Sequence, residues 1–346
     1  MIKLCPYGSH RVIAPLGALP QAAQKIDNQM PMQQNELLIQ VKTLNVDSAS
    51  FTQIRQACGD DPDKMAAMIL DIVHTRGKLQ NPVTGSGGML LGAVKDKGKD
   101  HPGQVKVGDA VATLVSLSLT PLRLDRIVAI HMDSDQVDVE GEAILFETGI
   151  FEVLPGDIPQ KVALAALDVA GAPAQTHRLV KPGDSVLVLG ASGKSGVLCC
   201  VQAKLDAGPG GRVIGLCYDE REAQELRQLQ ACDVIIMGDA RKPLDIYHKV
   251  LEANNGEKVD LSISVVNIPD TEMAAILPVK HSGTVYFFSM ATHFAKAALG
   301  AEGVASDARM LIGNGFTPGH GQFTLNLLRN HPGLMQLFAS RYDRKE

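Results

Sequence analysis

The chain has no tryptophan, few aromatic residues and no excess of positive charge. Aromatic side chains make up 4% of its 346 residues, and 33 Lys and Arg stand against 38 Asp and Glu, for a formal net charge of −5. A mildly negative protein has no electrostatic attraction to nucleic acid or to an anionic membrane. No run reaches the ~18 apolar residues that a membrane helix needs, and the opening MIKLCPYGSHRV is too polar for a signal peptide. We therefore expect a cytoplasmic protein with neither a nucleic-acid nor a membrane partner.

Local metal and disulfide patterns are also missing. The six cysteines include no Cys-x-x-Cys pair, and the neighbours Cys199 and Cys200 cannot readily bridge. The ten histidines show no His-x-x-His or His-Glu-x-x-His spacing. These absences predict buried or free thiols in a reducing compartment and leave a metal site only to residues from distant parts of the chain.

What the chain has in excess is glycine. Its 33 glycines are close to a tenth of the residues, whereas about 7% is usual. Apolar residues make up 45%, enough for a sizeable core, and the length fits roughly two domains of about 150 residues. Many glycines in an aliphatic chain indicate tight turns against a ligand, as in α/β nucleotide-binding proteins.

The second half of the chain alternates strands with helices. Apolar β-rich runs occur at residues 185–190, 211–218, 233–238, 259–266 and 283–290, with a weaker one at 309–313. Helix-like segments occur between them at residues 194–207, 220–231, 244–253 and 271–277. Continuous apolar strands with helical crossovers predict a doubly wound parallel sheet, which is a dinucleotide-binding (Rossmann) α/β domain.

The first half is broken by Pro and Gly. Short β-like pieces occur at residues 36–44 and 109–115, and helical signal is limited to 61–76 and 159–167. This pattern predicts an antiparallel, partly barrel-like β domain with small helices. We place the β-rich domain at residues 1–169, the dinucleotide-binding domain at 170–315, and a C-terminal segment that returns to the first domain at 316–346.

The sharpest motif is VLVLGASGKSG at residues 186–196, where a strand ends in a glycine turn and a helix begins. Free backbone N–H groups and the positive helix end then surround one point, which suits a pyrophosphate. A P-loop would need a glycine five residues before Gly193, where Val188 stands. The candidate cofactor-binding residues in this turn are Gly190, Ser192, Gly193, Lys194, Ser195 and Gly196.

Asp219 follows the second strand of this domain, where an acidic residue accepts the ribose 2′-hydroxyl. It also opens an Asp-x-x-Glu sequence with Glu222, which fits a helix capping box. Both roles remain open, and they are compatible. Only Arg221 supplies positive charge directly after the strand, so the pattern favours NAD over NADP.

Most of the chain resembles the medium-chain dehydrogenase/reductase superfamily, because residues 36–50, 82–94, 106–111 and 165–196 occur in its order. The opening is similar to one family within it, the L-erythro-3,5-diaminohexanoate dehydrogenases. That similarity lies in residues 8–13 (GSHRVI), 19–20 (LP) and 25–28 (KIDN). The resemblance implies a GroES-like β-rich catalytic domain beside the Rossmann domain, with the site in the cleft between them.

The chain departs from the zinc-using members of the superfamily. The positions that match their Cys, His and Cys ligands hold Asp47, Ser86 and Asp168, and the four-cysteine structural zinc loop is missing. We therefore expect no metal. The acidic residue that zinc members place at the end of the second strand falls near Cys217, and Asp219 follows two residues later, so Asp219 does not match that position.

The family reaction is the NAD-dependent oxidation of an amine-bearing carbon, followed by water attack on the imine and release of ammonia. It would convert L-erythro-3,5-diaminohexanoate to 5-amino-3-oxohexanoate in lysine fermentation. Hydride leaves only from a neutral amine, so a base must first take a proton from the ammonium. Asp168 and Asp47 are the candidate catalytic residues, since two carboxylates attract a dicationic substrate and accept a proton. Their alternatives are a helix-end residue and a turn residue.

Four residues are candidate substrate ligands. Arg11, with His10 beside it, suits a bidentate grip on the substrate carboxylate, although an ion pair at the surface is an equally simple role. Ser86 stands at a matched ligand position. Glu147 is a second possible ammonium ligand or a residue of a solvated turn.

Two other functions fit the same sheet. One is a zinc-free NAD(P)H-dependent enone or quinone reductase, which has no need of an acidic pair. The other is a dinucleotide-binding protein without catalysis. For the enzyme we expect a small diamino-acid substrate and a homo-oligomer, either a dimer or a tetramer.

Overall fold

A computed structural model describes residues 4–313 and 315–343 of the chain. The described residues divide into two compact units, residues 4–168 and residues 169–313 with 315–343. The boundary falls after Asp168, one residue before the predicted one. Within the described ranges, no helix combines the length and the apolar character needed to cross a membrane.

The described part of the first unit is built on an antiparallel sheet of six strands. The strands of this unit are β1 Val12–Ala14, β2 Lys25–Ile26, β3 Leu37–Asn45, β4 Met89–Lys97, β5 Ala110–Thr113, β6 Leu122–His131, β7 Gln136–Leu145 and β8 Phe151–Val153. The sheet order is β6-β7-β3-β4-β5-β8, and β1 pairs with β2 separately. Every pairing is antiparallel, which confirms the β-rich domain predicted from the first half.

In the described part of this unit, three α-helices and a short 3-10 helix at Ser9–Arg11 accompany the sheet. The α-helices are α1 Ser48–Cys58, α2 Pro62–Arg76 and α3 Gln160–Leu167. The carboxylates of Asp47 and Asp61 cap the N-termini of α1 and α2. Helix α1 ends at Gly59 and α2 at Gly77, and both glycines have a left-handed backbone. Buried faces of α1 and α2 join the core of the sheet through residues such as Phe51.

The second unit contains the predicted parallel sheet. Its strands are β9 Ser185–Leu189, β10 Arg212–Cys217, β11 Val234–Met237, β12 Val259–Ser264, β13 Val279–Phe287 and β14 Arg309–Ile312. Its helices are α4 Gly171–Leu179, α5 Lys194–Ala207, α6 Glu220–Leu229, α7 Pro243–Ala253, α8 Glu272–Ile276, α9 Phe294–Gly303, α10 His320–Asn330 and α11 Pro332–Tyr342. The sheet order β11-β10-β9-β12-β13-β14, with parallel pairing throughout, confirms the doubly wound Rossmann arrangement.

The two central strands of this sheet, β9 and β12, mark the place where a ligand is expected to bind. All five residues of β9 are buried, as expected of a parallel strand covered on both faces. The strands β9 and β12 are neighbours at the centre of the sheet. From β9 the order continues to β10 and β11 on one side, and from β12 it continues to β13 and β14 on the other, so the strand order reverses between β9 and β12. Ligands of such sheets bind beside this reversal, at the carboxyl ends of the strands.

The C-terminal helices differ from the prediction that residues 316–346 return to the first domain. The structure assigns α10 and α11 to the second unit, where α10 packs on α4 and α11 packs on α6. The Thr324 hydroxyl donates to the Ala170 carbonyl over 3.2 Å, and Arg341 pairs with Glu225 on α6. The apolar faces of both helices are therefore buried against elements of their own unit.

Candidate active site

The turn from β9 into α5 is shaped by glycine at two positions. Gly190 has φ +77°, a left-handed conformation that favours glycine. A Cβ on Gly196 would lie 2.0 Å from the carbonyl oxygen of Gly190, which leaves no room for any side chain. The chain therefore bends sharply at the end of β9, and the N-terminus of α5 lies directly against that bend.

Gly193 has a different role in the same turn. It caps α5 at the ordinary extended angles φ −70° and ψ 170°, and it is exposed. A Cβ there would meet only the Gly190 oxygen, at 3.5 Å, within the 4 Å around it. In the first turn of α5, the N–H groups of Ser195 and Gly196 have no intrahelical carbonyl to bond. Open space beside helix N–H donors fits the pyrophosphate of a dinucleotide.

Ser192 in this turn is held by two neighbouring elements. Its hydroxyl donates to Glu222 Oε2 over 2.7 Å, and its carbonyl accepts from Arg341 Nη1 over 3.0 Å. The ammonium group of Lys194 lies 5.8 Å from the ring centroid of Tyr342, so α11 contacts the turn through two residues. The predicted residues 190–196 thus form the turn after β9 and the first residues of α5, and α6 and α11 contact them.

Glu222 was not among the predicted site residues. Its carboxylate reaches the glycine turn, whereas the sequence pattern treated it as part of a capping box around α6. The signal that could have identified it is its position in the first turn of α6, the helix that follows β10. Asp219 takes the capping role: its Oδ1 accepts from the N–H groups of Arg221 (2.8 Å) and Glu222 (3.1 Å). Among the described residues, no donor contacts Asp219 Oδ2, so that exposed oxygen can accept a further hydrogen bond.

Asp47 in the first unit follows β3 and caps α1. Its Oδ1 accepts from the Ser50 N–H over 3.0 Å. Its Oδ2 is buried and has no hydrogen-bond partner among the residues that the structure describes. A buried carboxylate oxygen without a donor is costly, and it indicates a contact with something outside the folded chain.

Ser86 precedes β4, the strand that pairs with the last residues of β3 before Asp47. Asn45 pairs with Met89 at the end of β3 and the start of β4. Gly88 then lies against the backbone of residues 45–47, because a Cβ on it would be 2.7 Å from the Asp47 nitrogen. Asp47 and Ser86, which match two ligand positions of the zinc-using enzymes, therefore stand at one end of the β3–β4 pair.

The other two predicted acidic residues lie on different elements. Asp168 is the C-terminal cap of α3, is half-buried, and donates its N–H to the Leu164 carbonyl over 3.0 Å. Glu147 lies in a turn after β7, and its Oε2 accepts from Asn35 Nδ2 over 3.3 Å. The turn position of Glu147 agrees with the simpler of its two predicted roles.

Arg11 was predicted to grip the substrate carboxylate, and the structure gives its guanidinium another partner. Arg11 is 3% exposed, and its Nε and Nη2 donate to the two oxygens of Glu36 over 2.6 and 2.7 Å. Its Nη1 donates to the Gln29 carbonyl over 2.9 Å. All three guanidinium nitrogens of Arg11 therefore donate to acceptors within the protein, and the prediction that Arg11 binds the substrate carboxylate is wrong. The ion pair is buried rather than at the surface.

His10 belongs to the same ion-pair cluster, since its Nε2 lies 2.9 Å from Glu36 Oε1. Burial alone would raise the pKa of Glu36, but hydrogen bonds from Arg11, the Gln33 N–H and His10 outweigh it, and the pKa is lowered. Glu36 is therefore a fixed anion that anchors the N-terminal residues to β3. His10 contacts this anion instead of an open ligand site.

The cysteines and metal-binding side chains give no further site in the described ranges. All six cysteines are free, and burial raises the pKa of Cys199 to about 12 and that of Cys217 to about 11. Such thiols stay protonated at neutral pH and are poor nucleophiles. Among residues 4–313 and 315–343, no three His, Cys, Asp or Glu side chains converge to hold a metal ion.

Known proteins match almost the whole length of this chain. The L-erythro-3,5-diaminohexanoate dehydrogenase of Acetoanaerobium sticklandii is 56% identical over 343 residues, covering 99% of this chain and 100% of that protein. The enzyme of the same name from Fusobacterium nucleatum is 55% identical over 344 residues, with 99% and 100% coverage. The family model of the L-erythro-3,5-diaminohexanoate dehydrogenase N-terminal domain matches residues 10–155.

Solved structures of similar fold are more distant in sequence. AibC matches with a TM-score of 0.58 at 20% identity, over 88% of this chain and 80% of that chain. A quinone oxidoreductase of Pseudomonas syringae pv. tomato matches with a TM-score of 0.54 at 19% identity, over 93% and 85%. At such identities the similarity concerns the fold, and it confirms a GroES-like domain joined to a Rossmann domain. The near-complete sequence match places this chain in the L-erythro-3,5-diaminohexanoate dehydrogenase family.

Proposed function

We propose that this protein catalyses the NAD-dependent oxidative deamination of L-erythro-3,5-diaminohexanoate to 5-amino-3-oxohexanoate, with release of ammonia, in lysine fermentation. The observation that carries the proposal is 56% identity over 99% of the chain to a relative of that name. The site geometry is compatible with it, because the second unit has a dinucleotide turn and the first unit presents carboxylates suited to a diamine.

The residues of the glycine turn would hold the cofactor. The N–H groups that open α5 would bind the pyrophosphate, and Gly193 leaves the space beside them open. Asp219 Oδ2 and the Glu222 carboxylate lie on the first turn of α6, so a cofactor bearing a 2′-phosphate would meet negative charge there. That charge supports NAD over NADP. When bound, NAD supplies the acceptor for the hydride.

The carboxylates of the first unit would prepare the substrate. Carbon 3 loses a hydride only after its ammonium has lost a proton, and Asp168 and Asp47 are the groups we propose for that transfer. Asp47 has one oxygen fixed by the cap of α1 and one buried oxygen unpaired, so its charge is held in one orientation. Since an alkyl ammonium ordinarily has a pKa near that of lysine, about 10.4, turnover should increase with pH toward the alkaline range.

The test is NADH formation, followed by absorbance, with NAD and the diamino acid. Lysine and simple alcohols serve as comparison substrates. Asp168→Asn and Asp47→Asn keep size and hydrogen-bonding shape while removing the charge, and each removed base is expected to lower turnover by about 10²–10⁴-fold. Asp61→Asn is the matched control, because Asp61 caps α2 as Asp47 caps α1.

Three results would contradict parts of the proposal. Oxidation of alcohols or reduction of enones with no diamine activity would replace the substrate class. Tight NAD binding without turnover of any amine would indicate a binding protein. Turnover within a few-fold of wild type in both Asp168→Asn and Asp47→Asn would remove both carboxylates as the base.

The setting of the enzyme is also part of the proposal. All six cysteines are free thiols, which is typical of a reducing compartment such as the cytoplasm. The homo-oligomer, either a dimer or a tetramer, stays a prediction that light scattering in solution will check.

A further inference from the structure

The last helix of the second unit ends beside the glycine turn. Helix α11 packs on α6, and Arg341 of α11 donates from Nη1 to the Ser192 carbonyl over 3.0 Å. The same guanidinium pairs with Glu225 on α6. These bonds attach the end of α11 to α6 and to the turn, so the next residue, Tyr342, has a defined position near the N-terminus of α5.

The Tyr342 ring contacts the ammonium group of Lys194. The Lys194 nitrogen lies 5.8 Å from the ring centroid, within the ~6 Å range of a cation–π interaction. One helical turn earlier on α11, the ring of Phe338 is fully buried, and its centroid lies 5.5 Å from that of Tyr342. The tyrosine ring is therefore supported by its own helix while it contacts the lysine.

Lys194 is the first residue of α5. Long side chains on a helix lean toward its N-terminus, which is also the direction in which the N–H groups of Ser195 and Gly196 point. Gly193 before it is exposed, and a Cβ there would meet only the Gly190 oxygen within 4 Å. A phosphate can thus reach the N-terminus of α5, with the lysine charge beside its approach.

The chemical nature of the partner determines what the lysine charge can do. A carboxylate partner would neutralise it, as Glu225 does for Arg341. A tyrosine ring carries no net charge, so this contact restricts the ammonium group without cancelling its charge. A flexible lysine loses side-chain entropy when it binds a phosphate, and a lysine that is already restricted loses less.

We infer that Lys194 is a side-chain cation that binds the pyrophosphate of the cofactor, and that Tyr342 is the positioning residue that holds Lys194 for it. The inference rests on the cofactor part of the proposed function and concerns binding alone. Lys194 would contact the ligand, whereas Tyr342 would act through Lys194. The C-terminal helix is thereby a component of the cofactor site, although the glycine motif of that site ends at Gly196.

Four variants test these roles by calorimetric titration with NAD. Lys194→Met removes the charge at similar length and should raise the Kd by about ten- to a hundredfold, the effect of losing one charged hydrogen bond. Tyr342→Leu removes the ring face and should raise the Kd by about three- to tenfold, whereas Tyr342→Phe keeps it and should stay within about twofold. Tyr247→Leu is the matched control, because it breaks a similar 5.6 Å contact from Lys258, at the amino end of β12.

Two comparisons separate positioning from a general effect on the fold. ADP-ribose contains the pyrophosphate and should follow NAD in every variant, whereas adenosine lacks it and should bind wild type and Tyr342→Leu equally in NMR titrations. In protein that already carries Lys194→Met, the addition of Tyr342→Leu should change the Kd for NAD by less than about twofold, because no charge is left for the ring to position.

A spectroscopic measurement covers the case in which Tyr342→Leu does not fold. Reductive methylation with ¹³C-formaldehyde labels the lysines of the wild-type protein for NMR, and Lys194→Arg identifies the Lys194 signal by its loss. The ring current of Tyr342 should shift that signal upfield, and NAD should change its position. A Lys194 signal at the position of exposed lysines that does not respond to NAD would overturn the inference.

Three titration results would also overturn it. One is a wild-type Kd for NAD in folded Tyr342→Leu, and another is an equal loss of adenosine and NAD binding in that variant. The third is the same effect of Tyr342→Leu with and without Lys194→Met. The titrations contain no diamine, so a protein that binds NAD as described but forms no NADH from the diamine would contradict the proposed function and leave this inference supported.

Discussion

Replacing Gly193 by valine tests the cofactor turn without removing its architecture. Gly193 has extended angles that valine adopts, and a Cβ there has only one neighbour, at 3.5 Å. The two methyl groups would occupy the space beside the N–H groups that open α5. Gly196→Ala is the contrasting variant, because its Cβ would lie 2.0 Å from the Gly190 oxygen and force the turn apart.

The two variants should therefore separate binding from stability. Valine in place of glycine at a helix N-cap costs about 1 kcal/mol, equivalent to a fall in Tm of about 2–4 °C for a unit of this size. If the methyl groups displace two charge-assisted hydrogen bonds, at about 1.5–3 kcal/mol each, the loss of about 3–6 kcal/mol raises the Kd for NAD by about 10²–10⁴. Gly196→Ala should lower Tm further, since overpacking against a backbone atom costs about 1–3 kcal/mol or more.

Isothermal titration calorimetry with NAD and with ADP-ribose measures the first effect. Thermal unfolding followed by circular dichroism measures the second. An NAD Kd within threefold of wild type, in Gly193→Val protein that is folded, would refute the assignment of this turn to the pyrophosphate. A Tm for Gly196→Ala equal to that of wild type would show that the turn relaxes more easily than the 2.0 Å approach implies.

Two other predictions concern stability and metal. The Lys78 side chain is 0% exposed, and its ammonium donates to the Pro20 carbonyl over 2.6 Å. Burial lowers the pKa of Lys78 to about 8 in the folded protein. Because the folded pKa lies below the unfolded value of 10.5, the buried charge destabilises the fold below pH 8, and that penalty disappears as pH rises to 10.5. Urea titrations measure the difference in unfolding free energy between wild type and Lys78→Met. That difference should change by about 3 kcal/mol between pH 8 and pH 10.5, and a constant difference would contradict the lowered pKa of Lys78. Dialysis against a strong chelator should leave full activity with much less than one zinc per chain by elemental analysis, whereas loss of activity restored by stoichiometric zinc would contradict the expected absence of metal.

The sequence predicted the second unit well because its strands are continuous and apolar. Helix α5 was predicted at residues 194–207 and occupies Lys194–Ala207. The start of β13 was missed, since the strand begins at Val279 and not at residue 283. Val279 is followed by the polar residues Lys280, His281 and Ser282, so no apolar run marks this end. Ser282 also has a left-handed backbone, and the pairing with β12 is irregular there.

The first unit was harder to predict, because local polar contacts define its elements. Helix α1 was missed, since its buried apolar residues are few and its ends are set by the Asp47 cap and Gly59. Arg11 and Glu36 are separated by 25 residues in the chain, and a pairing at that distance depends on the tertiary fold. Likewise, no spacing rule links Asn45 on β3 to Gln136 on β7, although the sheet makes them partners.

The attachment of α11 to the glycine turn couples two equilibria. Arg341 donates to the Ser192 carbonyl and pairs with Glu225, so docking of this helix and ordering of the turn share contacts. Thermodynamic linkage makes such coupling reciprocal: a cofactor that binds the ordered turn strengthens helix docking by the factor by which docking strengthens cofactor binding. Cleavage by a protease between α10 and α11 should therefore slow when the cofactor is present, so that susceptibility to proteolysis reports on events at the phosphate-binding turn.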